Sequence, residues 1–497
     1  MTSKAGPLEC RCAGLLLHPT SLPGAGGNGD LGPEAYHFVD FLTHAGISLW
    51  QTLPHGPTHE DLSPYQCLSV HAGNPLWISL QRLAKQGWLE ASGPAPAAWD
   101  VAWRGAQLRQ AHRGFEQRAG TEDRAAYERF VRDHALWLED FALYMALREE
   151  NAQRAWLDWP APLRDRERAA LEAARERLAA TIKRVRFEQF VFFQQWLALK
   201  HYANARGILL LGDMPIYVAH DSAEVWAERE QFDVDVHGRP KTVAGVPPDY
   251  FSATGQLWGN PHYDWKRMKA EDFRWWRERL RTSFELYDLV RIDHFRGFEA
   301  YWSIPAGEAT AVAGRWVKAP GRALFKALKQ EFGTLPLVAE DLGLITPAVE
   351  ALRRQFDLPG MKILQFAFGS GAENPYLPHN HEINSAVFTG THDNNTTVGW
   401  YAELSHDERQ QVLDYLGDPQ EPMPWPLIRA ALASVARLAV IPLQDALGLD
   451  ASHRMNTPAT AKGNWKWRFS WDQFPTHLAE HLRQLVRMYG REVTSSK

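Results

Sequence analysis

Six polar side chains in this chain stand just beyond short apolar runs. They are His18 after AGLLL, Asp213 after ILLLG, Asp293 after LVRI, Glu340 after LVA, and His392 and Asp393 a few residues past AVFT. Taken singly, an Asp in such a place is a helix N-cap or a turn residue. Four carboxylates at equivalent run ends are harder to explain that way. Crowded like charges push their pKa values apart, leaving one group ionised and another protonated. Such a pair supplies a nucleophile and a proton donor, as in retaining glycosidases, where the two carboxyls lie ~5–5.5 Å apart. Arg291 precedes Asp293 by two residues, so a strand puts both on one face, and its charge would keep Asp293 ionised. Glu340 has no cation beside it in sequence, which suits a general acid/base. Asp393 would be a third carboxylate, holding hydroxyls and stabilising developing positive charge.

The elements that must position these groups are legible as eight near-continuous apolar runs: Ala13–Leu17, Ile47–Leu53, Ile208–Leu211, Leu289–Ile292, Leu335–Ala339, Met361–Phe366, Ala386–Thr389 and Leu438–Leu443. Such runs suit strands buried on both faces. Helical patterns separate them. One starts at Pro33 and stops at Gly46, and others cover 321–332 and 407–416. The run from Trp471 to Arg491 reads as a closing helix. Strands alternating with helices imply a parallel sheet. Eight of them fit an α/β fold of the (β/α)8 (TIM) barrel type, whose active sites lie at the C-terminal strand ends. The alternative, a doubly wound open sheet, lacks a Gly-rich phosphate fingerprint after the first strand.

The reading is of one catalytic barrel domain over residues 1–497, with no separate C-terminal β domain. Residues 54–185 form a mainly helical insertion after strand 2. Within it Leu171, Leu178, Ile182 and Val185 share a helical face, and charged residues between Arg164 and Arg186 supply the opposite one. Residues 214–265, rich in Pro, Gly, Asp and aromatics, form an active-site loop insertion after strand 3.

Composition excludes other classes. The 497 residues are 45% hydrophobic and 23% charged with a net charge of -5, so no basic field attracts nucleic acid. No apolar stretch approaches the ~18 residues that suggest a membrane span. Cys10, Cys12 and Cys67 are too few for a disulfide framework or a Cys-based zinc site, and His55, His59 and His71 near Cys67 do not make a metal site the better reading. No apolar leader is apparent at the N-terminus, and a cytoplasmic location is expected. The 21 Trp, 14 Tyr and 23 Phe are core residues for the most part, but aromatic faces also stack on sugar rings, and their placement decides.

The runs LVRIDHFRGF (Leu289–Phe298), VAEDLG (Val338–Gly343) and FTGTHDNNTTVGW (Phe388–Trp400) resemble those of the 4-α-glucanotransferases of glycoside hydrolase family 77, in the α-amylase superfamily. GDMPIYVAHDSAEVW (Gly212–Trp226), PPDYFSATGQLWGNP (Pro247–Pro261), NTPATAKGNWKWR (Asn456–Arg468), HPTSLPG and SPYQ (Ser63–Gln66) follow the same pattern in the same order. The resemblance implies Asp293 as nucleophile, Glu340 as acid/base and Asp393 as transition-state stabiliser. It implies that Arg291, Asp213 and His392 hold the sugar on the cleaved side, with His294 also on the substrate, and that Tyr65 is a stacking platform there. Tyr250 and Phe251 would arch over the cleft, Asp249, Gln256 and Trp258 would line the acceptor side, and Asn464 would close the site. It implies no cofactor, no metal and no obligate protein partner, with α-1,4-glucans as substrates. One segment departs from the family pattern: PHGPTHEDLSPYQ (Pro54–Gln66) differs at His55, His59, Glu60 and Leu62.

The expected reaction is transfer of a glucan segment to the 4-hydroxyl of another glucan through a covalent glucosyl-aspartate. An α-1,4-glucan hydrolase of the same superfamily is the alternative. A non-catalytic glucan-binding barrel would be expected to have lost one of the three carboxylates, and all three are present.

Overall fold

The computed structural model describes residues 11–24, 27–90, 96, 100–248, 252–460 and 462–492. Its strands, in chain order, are β1 (Cys12–Leu16), β2 (Leu49–Gln51), β3 (Leu209–Met214), β4 (Thr242–Val246), β5 (Gln256–Pro261) and β6 (Leu289–Ile292). They continue with β7 (Ala300–Pro305), β8 (Arg315–Lys318), β9 (Leu337–Ala339), β10 (Gly360–Ile363), β11 (Ser385–Phe388) and β12 (Leu438–Pro442). Eight of them close a barrel in the order β1-β12-β11-β10-β9-β6-β3-β2, with parallel pairing throughout. All eight fall on the eight apolar runs.

Alternation along these strands makes two cores. Leu16, Leu49, Leu211, Leu289, Val338, Met361, Phe388 and Val440 form one apolar cluster. The intervening residues, such as Leu15, Trp50, Leu210, Val290, Leu337, Val387 and Ile441, join a larger cluster with helix residues that include Phe38, Trp196, Leu324 and Leu482. A parallel strand must be apolar on both faces to be buried on both. The first cluster is the barrel interior, and its rows run on into the polar residues at the strand ends.

The helix Pro33–His44 begins with proline in its first turn, where the missing N–H is no loss. It stops where Gly46 takes φ +69°, a conformation glycine adopts without a Cβ penalty. The helical block contains Val101–Arg118, Thr121–Asp133, Ala135–Glu150 and Arg168–Arg177. Leu171, Ile182 and Val185 are buried and Leu178 partly so. Its last helix, Ala179–Asn204, runs through residue 185 without a break, so the block has no boundary there and leads directly into β3. Two glutamines of this helix grip the loop after β2. Gln189 accepts from the N–H of Gly73 at 2.8 Å and donates to its carbonyl at 2.9 Å; Gln195 does the same for Ser79 at 2.7 and 3.2 Å.

The described residues between 214 and 265 hold more regular structure than a long loop. They contain β4 and β5, which pair antiparallel and join β7 and β8 in a four-stranded sheet of order β5-β4-β7-β8. Strands as short and half-exposed as TVAGV and RWVK carry no apolar run for the sequence to show.

Candidate active site

Residues alternate across a strand, so the interior rows predict what stands at the barrel mouth. Leu209 and Leu211 lead to Asp213, Leu289 to Arg291 and Asp293, and Val338 to Glu340. Asp213 and Arg291 are register partners on β3 and β6. The ladder continues beyond the strands: Asp293 N–H donates to Met214 O at 3.0 Å and Glu340 N–H to Ile292 O at 2.9 Å. The backbone alone therefore sets these groups side by side.

Arg291 ties two carboxylates together. Its Nη1 donates to both oxygens of Asp213 at 2.8 Å, and its Nη2 lies 2.9 Å from Asp293 Oδ1. The same Asp213 accepts from the Tyr65 hydroxyl at 2.7 Å. The Tyr65 ring stacks on His392, with centroids 5.1 Å apart and planes 16° apart, and also meets Trp465 at 5.9 Å.

Glu340 is buried and held from both sides. Its Oε2 accepts from the His294 N–H at 2.6 Å and its Oε1 from the Leu342 N–H at 2.9 Å. His294 reaches this position by taking φ +51°, a left-handed conformation that a non-glycine residue keeps only where its surroundings enforce it. Burial first, then the negative charge of Asp293, push the Glu340 carboxyl up to about 7 against Arg291 and the two N–H groups.

The Asp293 carboxyl is pushed up to about 6. Desolvation is the main cause and the charges of Asp213 and Asp393 add to it, while Arg291 opposes them. Arg291 shares its charge between two carboxylates, which the sequence spacing could not reveal. The two carboxyls differ in their direct partners: Asp293 is paired with a cation, and Glu340 with two backbone N–H groups.

Asp393 stands at the mouth. His392 Nε2 is 3.3 Å from its Oδ2, the Asn456 amide donates to its Oδ1 at 2.6 Å, and Arg454 donates to its carbonyl at 3.0 Å. Burial would raise this carboxyl, but His392 and Asn456 outweigh it and hold Asp393 well below the usual carboxylate range. Burial likewise disfavours charged His392, and Asp393 more than compensates. The result is an anion fixed at neutral pH beside two carboxyls whose ionisation is resisted by burial.

Trp258 packs edge-on against His294 at 4.8 Å and donates its indole N–H to Gln256 at 3.0 Å. The His294 ring is buried and kept neutral, pushed down to about 3 mainly by desolvation. Asp249, Tyr250 and Phe251 lie outside the described residues. Asn464 spends its amide within its own loop, on the Thr457 N–H and the Thr460 carbonyl. Its neighbour Trp465 is the residue that packs on Tyr65 and His392. Asn456 and Trp465 both belong to the NTPATAKGNWKWR segment, and the sequence reading singled out Asn464 alone from it. His18 is buried and meets Trp77 edge-on at 5.0 Å.

In the divergent segment, His59 faces Asp221 at 3.9 Å and Leu62 takes φ +64°. His71 bonds Thr282 at 2.9 Å and the Cys67 thiol donates to Pro64 O at 2.9 Å. Among the described residues no group of three His, Cys, Asp or Glu side chains is arranged to hold a metal ion, and no helix is long and apolar enough to cross a membrane.

A family model described as 4-alpha-glucanotransferase matches residues 17–473. The chain is 52% identical over 495 residues to a 4-alpha-glucanotransferase of Thermus thermophilus, covering 97% of this chain and 99% of that protein. It is 49% identical over 500 residues to one of Synechocystis sp., covering 98% and 99%. Among solved structures it is similar to the amylomaltase from Streptococcus agalactiae in complex with acarbose, with a TM-score of 0.93 at 37% identity over 97% of this chain and 99% of that one.

Proposed function

Because this chain belongs to the 4-alpha-glucanotransferase family, glycoside hydrolase family 77, we propose that it performs glucan transfer through Asp293, Glu340 and Asp393 by a retaining double displacement. Its activity is that of a 4-α-glucanotransferase. The observation that carries the residue assignment is the different company the two carboxyls keep: Arg291 lies 2.9 Å from Asp293 Oδ1, while buried Glu340 is held by the backbone N–H groups of His294 and Leu342.

In the first step Glu340 gives its proton to the glycosidic oxygen of an α-1,4-glucan while Asp293 attacks the anomeric carbon. The leaving glucan departs with a free 4-hydroxyl, and the glucosyl unit stays on Asp293 with inverted configuration. The Glu340 carboxylate now formed accepts the bonds from His294 and Leu342, which favour the charged form. It then takes the proton of an incoming 4-hydroxyl, whose oxygen displaces Asp293 and restores the α configuration. Asp393, an anion throughout, stabilises the positive charge that develops at the ring in both steps. Asp213, Arg291, His392 and Tyr65 orient the donor sugar, and the segment from Asp249 to Trp258 receives the acceptor and keeps water out.

Linear transfer and cyclisation of long amylose use the same two steps and differ only in whether the incoming hydroxyl belongs to another chain or to the donor's own end. The sparse cysteines support a cytoplasmic enzyme. Digestion of maltotriose tests the reading. A transferase yields glucose with maltopentaose and longer chains; glucose and maltose with no longer product would mean hydrolysis.

A further inference from the structure

The outer sheet carries an aromatic surface that the two displacement steps do not use. Trp302 on β7 and Trp316 on β8 are register partners, so they stand on the same face. Their rings meet edge-to-face at 5.2 Å. The Trp302 indole N–H is satisfied by Ala311 O at 2.8 Å, and the Gly314 backbone lies so close to the Trp302 ring that a Cβ there would clash at 2.2 Å. Trp302 is thereby fixed and braces Trp316, which sits on an edge strand and is 38% exposed.

One face of Trp316 is covered by the Arg296 guanidinium at 3.7 Å. Arg296 also donates to the carbonyl of Leu344. Leu344 is itself exposed and stands four residues past Glu340. Arg296 thus places the indole beside the segment that carries the acid/base. Its positive charge is taken up by the ring and a carbonyl, and Lys318, on the same face of β8, is paired with Glu299, so neither charge is left unpaired against the exposed indole. Exposed apolar surface can mark a binding place, and a flat aromatic face suits a sugar ring, not an ionic ligand.

We propose that Trp316, braced by Trp302 and Arg296, is a stacking platform for a distant glucose ring of a long α-1,4-glucan, on the side of the cleft where Glu340 meets the leaving and incoming chain. This rests on the function proposed above and adds to it a determinant of chain length. A long glucan holds both the catalytic site and the platform, and the second contact gains from being intramolecular. The platform, as proposed, serves chains longer than a maltotriose bound at the catalytic carboxylates. Chain-length preference is therefore written partly on the outer sheet.

The test compares Trp316→Ala with the unsubstituted full-length enzyme on long amylose and on maltotriose. The ratio of the two kcat/KM values is expected to shift against amylose by about three- to tenfold, the worth of one aromatic contact, and Trp316→Phe is expected to restore most of it. An unchanged ratio overturns the platform. An equal fall on both substrates also overturns it, since Trp316 would then act only through Arg296 on the Glu340 segment. Concentration-dependent dimerisation that is lost in Trp316→Ala would assign the surface to a second copy of the chain instead. Failure of the unsubstituted enzyme to make maltopentaose from maltotriose would count against the transferase reading, and the ratio would still judge the platform.

Discussion

Replacing Asp213 by asparagine should move the acid limb of the pH profile downwards. In the unsubstituted protein Arg291 divides its charge between Asp213 and Asp293, and the Asp213 carboxylate repels a second negative charge on Asp293. The Asp213→Asn substitution would remove that repulsion and leave the guanidinium to Asp293 alone, and both changes favour the ionised nucleophile. Two carboxylates bridged by one guanidinium lie about 6–8 Å apart, which at an effective dielectric of about 20 corresponds to ~2–3 kcal/mol. The Asp293 side chain keeps 28% exposure, and solvent screening reduces this to about one pKa unit. The proposed double displacement requires Asp293 ionised and Glu340 protonated. The limb governed by Asp293 should therefore fall from about 6 towards ~5, while the limb governed by Glu340 stays near 7. The assay is kcat/KM for maltotriose disproportionation across pH, which reports groups of the free enzyme, with circular dichroism to confirm folding. The overall rate will drop too, because the proposed sugar-orienting group is lost, but the limb position does not depend on that height. A limb that stays at about 6, or rises, refutes the sharing of Arg291 as the cause of the raised Asp293 value.

Asp293→Asn should abolish transfer while calorimetry still detects glucan binding; transfer at the unsubstituted rate would remove Asp293 from its role. Asn456→Ala deletes the 2.6 Å hydrogen bond to Asp393, and kcat should fall about ten- to a hundredfold, as expected for losing a bond to a charged group; an effect confined to KM would count against Asp393 as a transition-state stabiliser. Gly212→Ala puts a Cβ 2.3 Å from the Tyr287 ring in the barrel wall, so denaturant unfolding should show a loss of about 1–3 kcal/mol, and full retention of stability would mean that Tyr287 moves freely.

The barrel was legible because each of its strands is buried on both faces and leaves an unbroken apolar run. The residues at the run ends, Asp213, Asp293 and Glu340, were legible for the same reason. The outer sheet was not, because β4 and β8 are short and half-exposed, and β4 finds its partner β7 only after the barrel strand β6 has intervened. Arg291 was visible as a partner for Asp293, but its second partner Asp213 lies on another strand, and the Asp213 charge works against Arg291 at Asp293. Asn456 and Trp465 come from a segment outside the strand–helix repeat. Nothing in their spacing says that one reaches Asp393 and the other Tyr65. The left-handed turn at His294, which aims a backbone N–H at Glu340, leaves no mark on the side-chain pattern at all.

The two glutamines of Ala179–Asn204 deny this protein modularity. Each clamps both hydrogen-bonding groups of one loop residue, Gly73 or Ser79, and that loop begins with the stretch that presents Tyr65 to Asp213. The helical block cannot be excised to leave a minimal working barrel, because the clamp and Tyr65, the proposed sugar platform, share one length of chain. Truncations that spare every catalytic carboxylate should still lose donor binding, and lineages that shorten the block would need a new anchor for the rim before they could dispense with the old one.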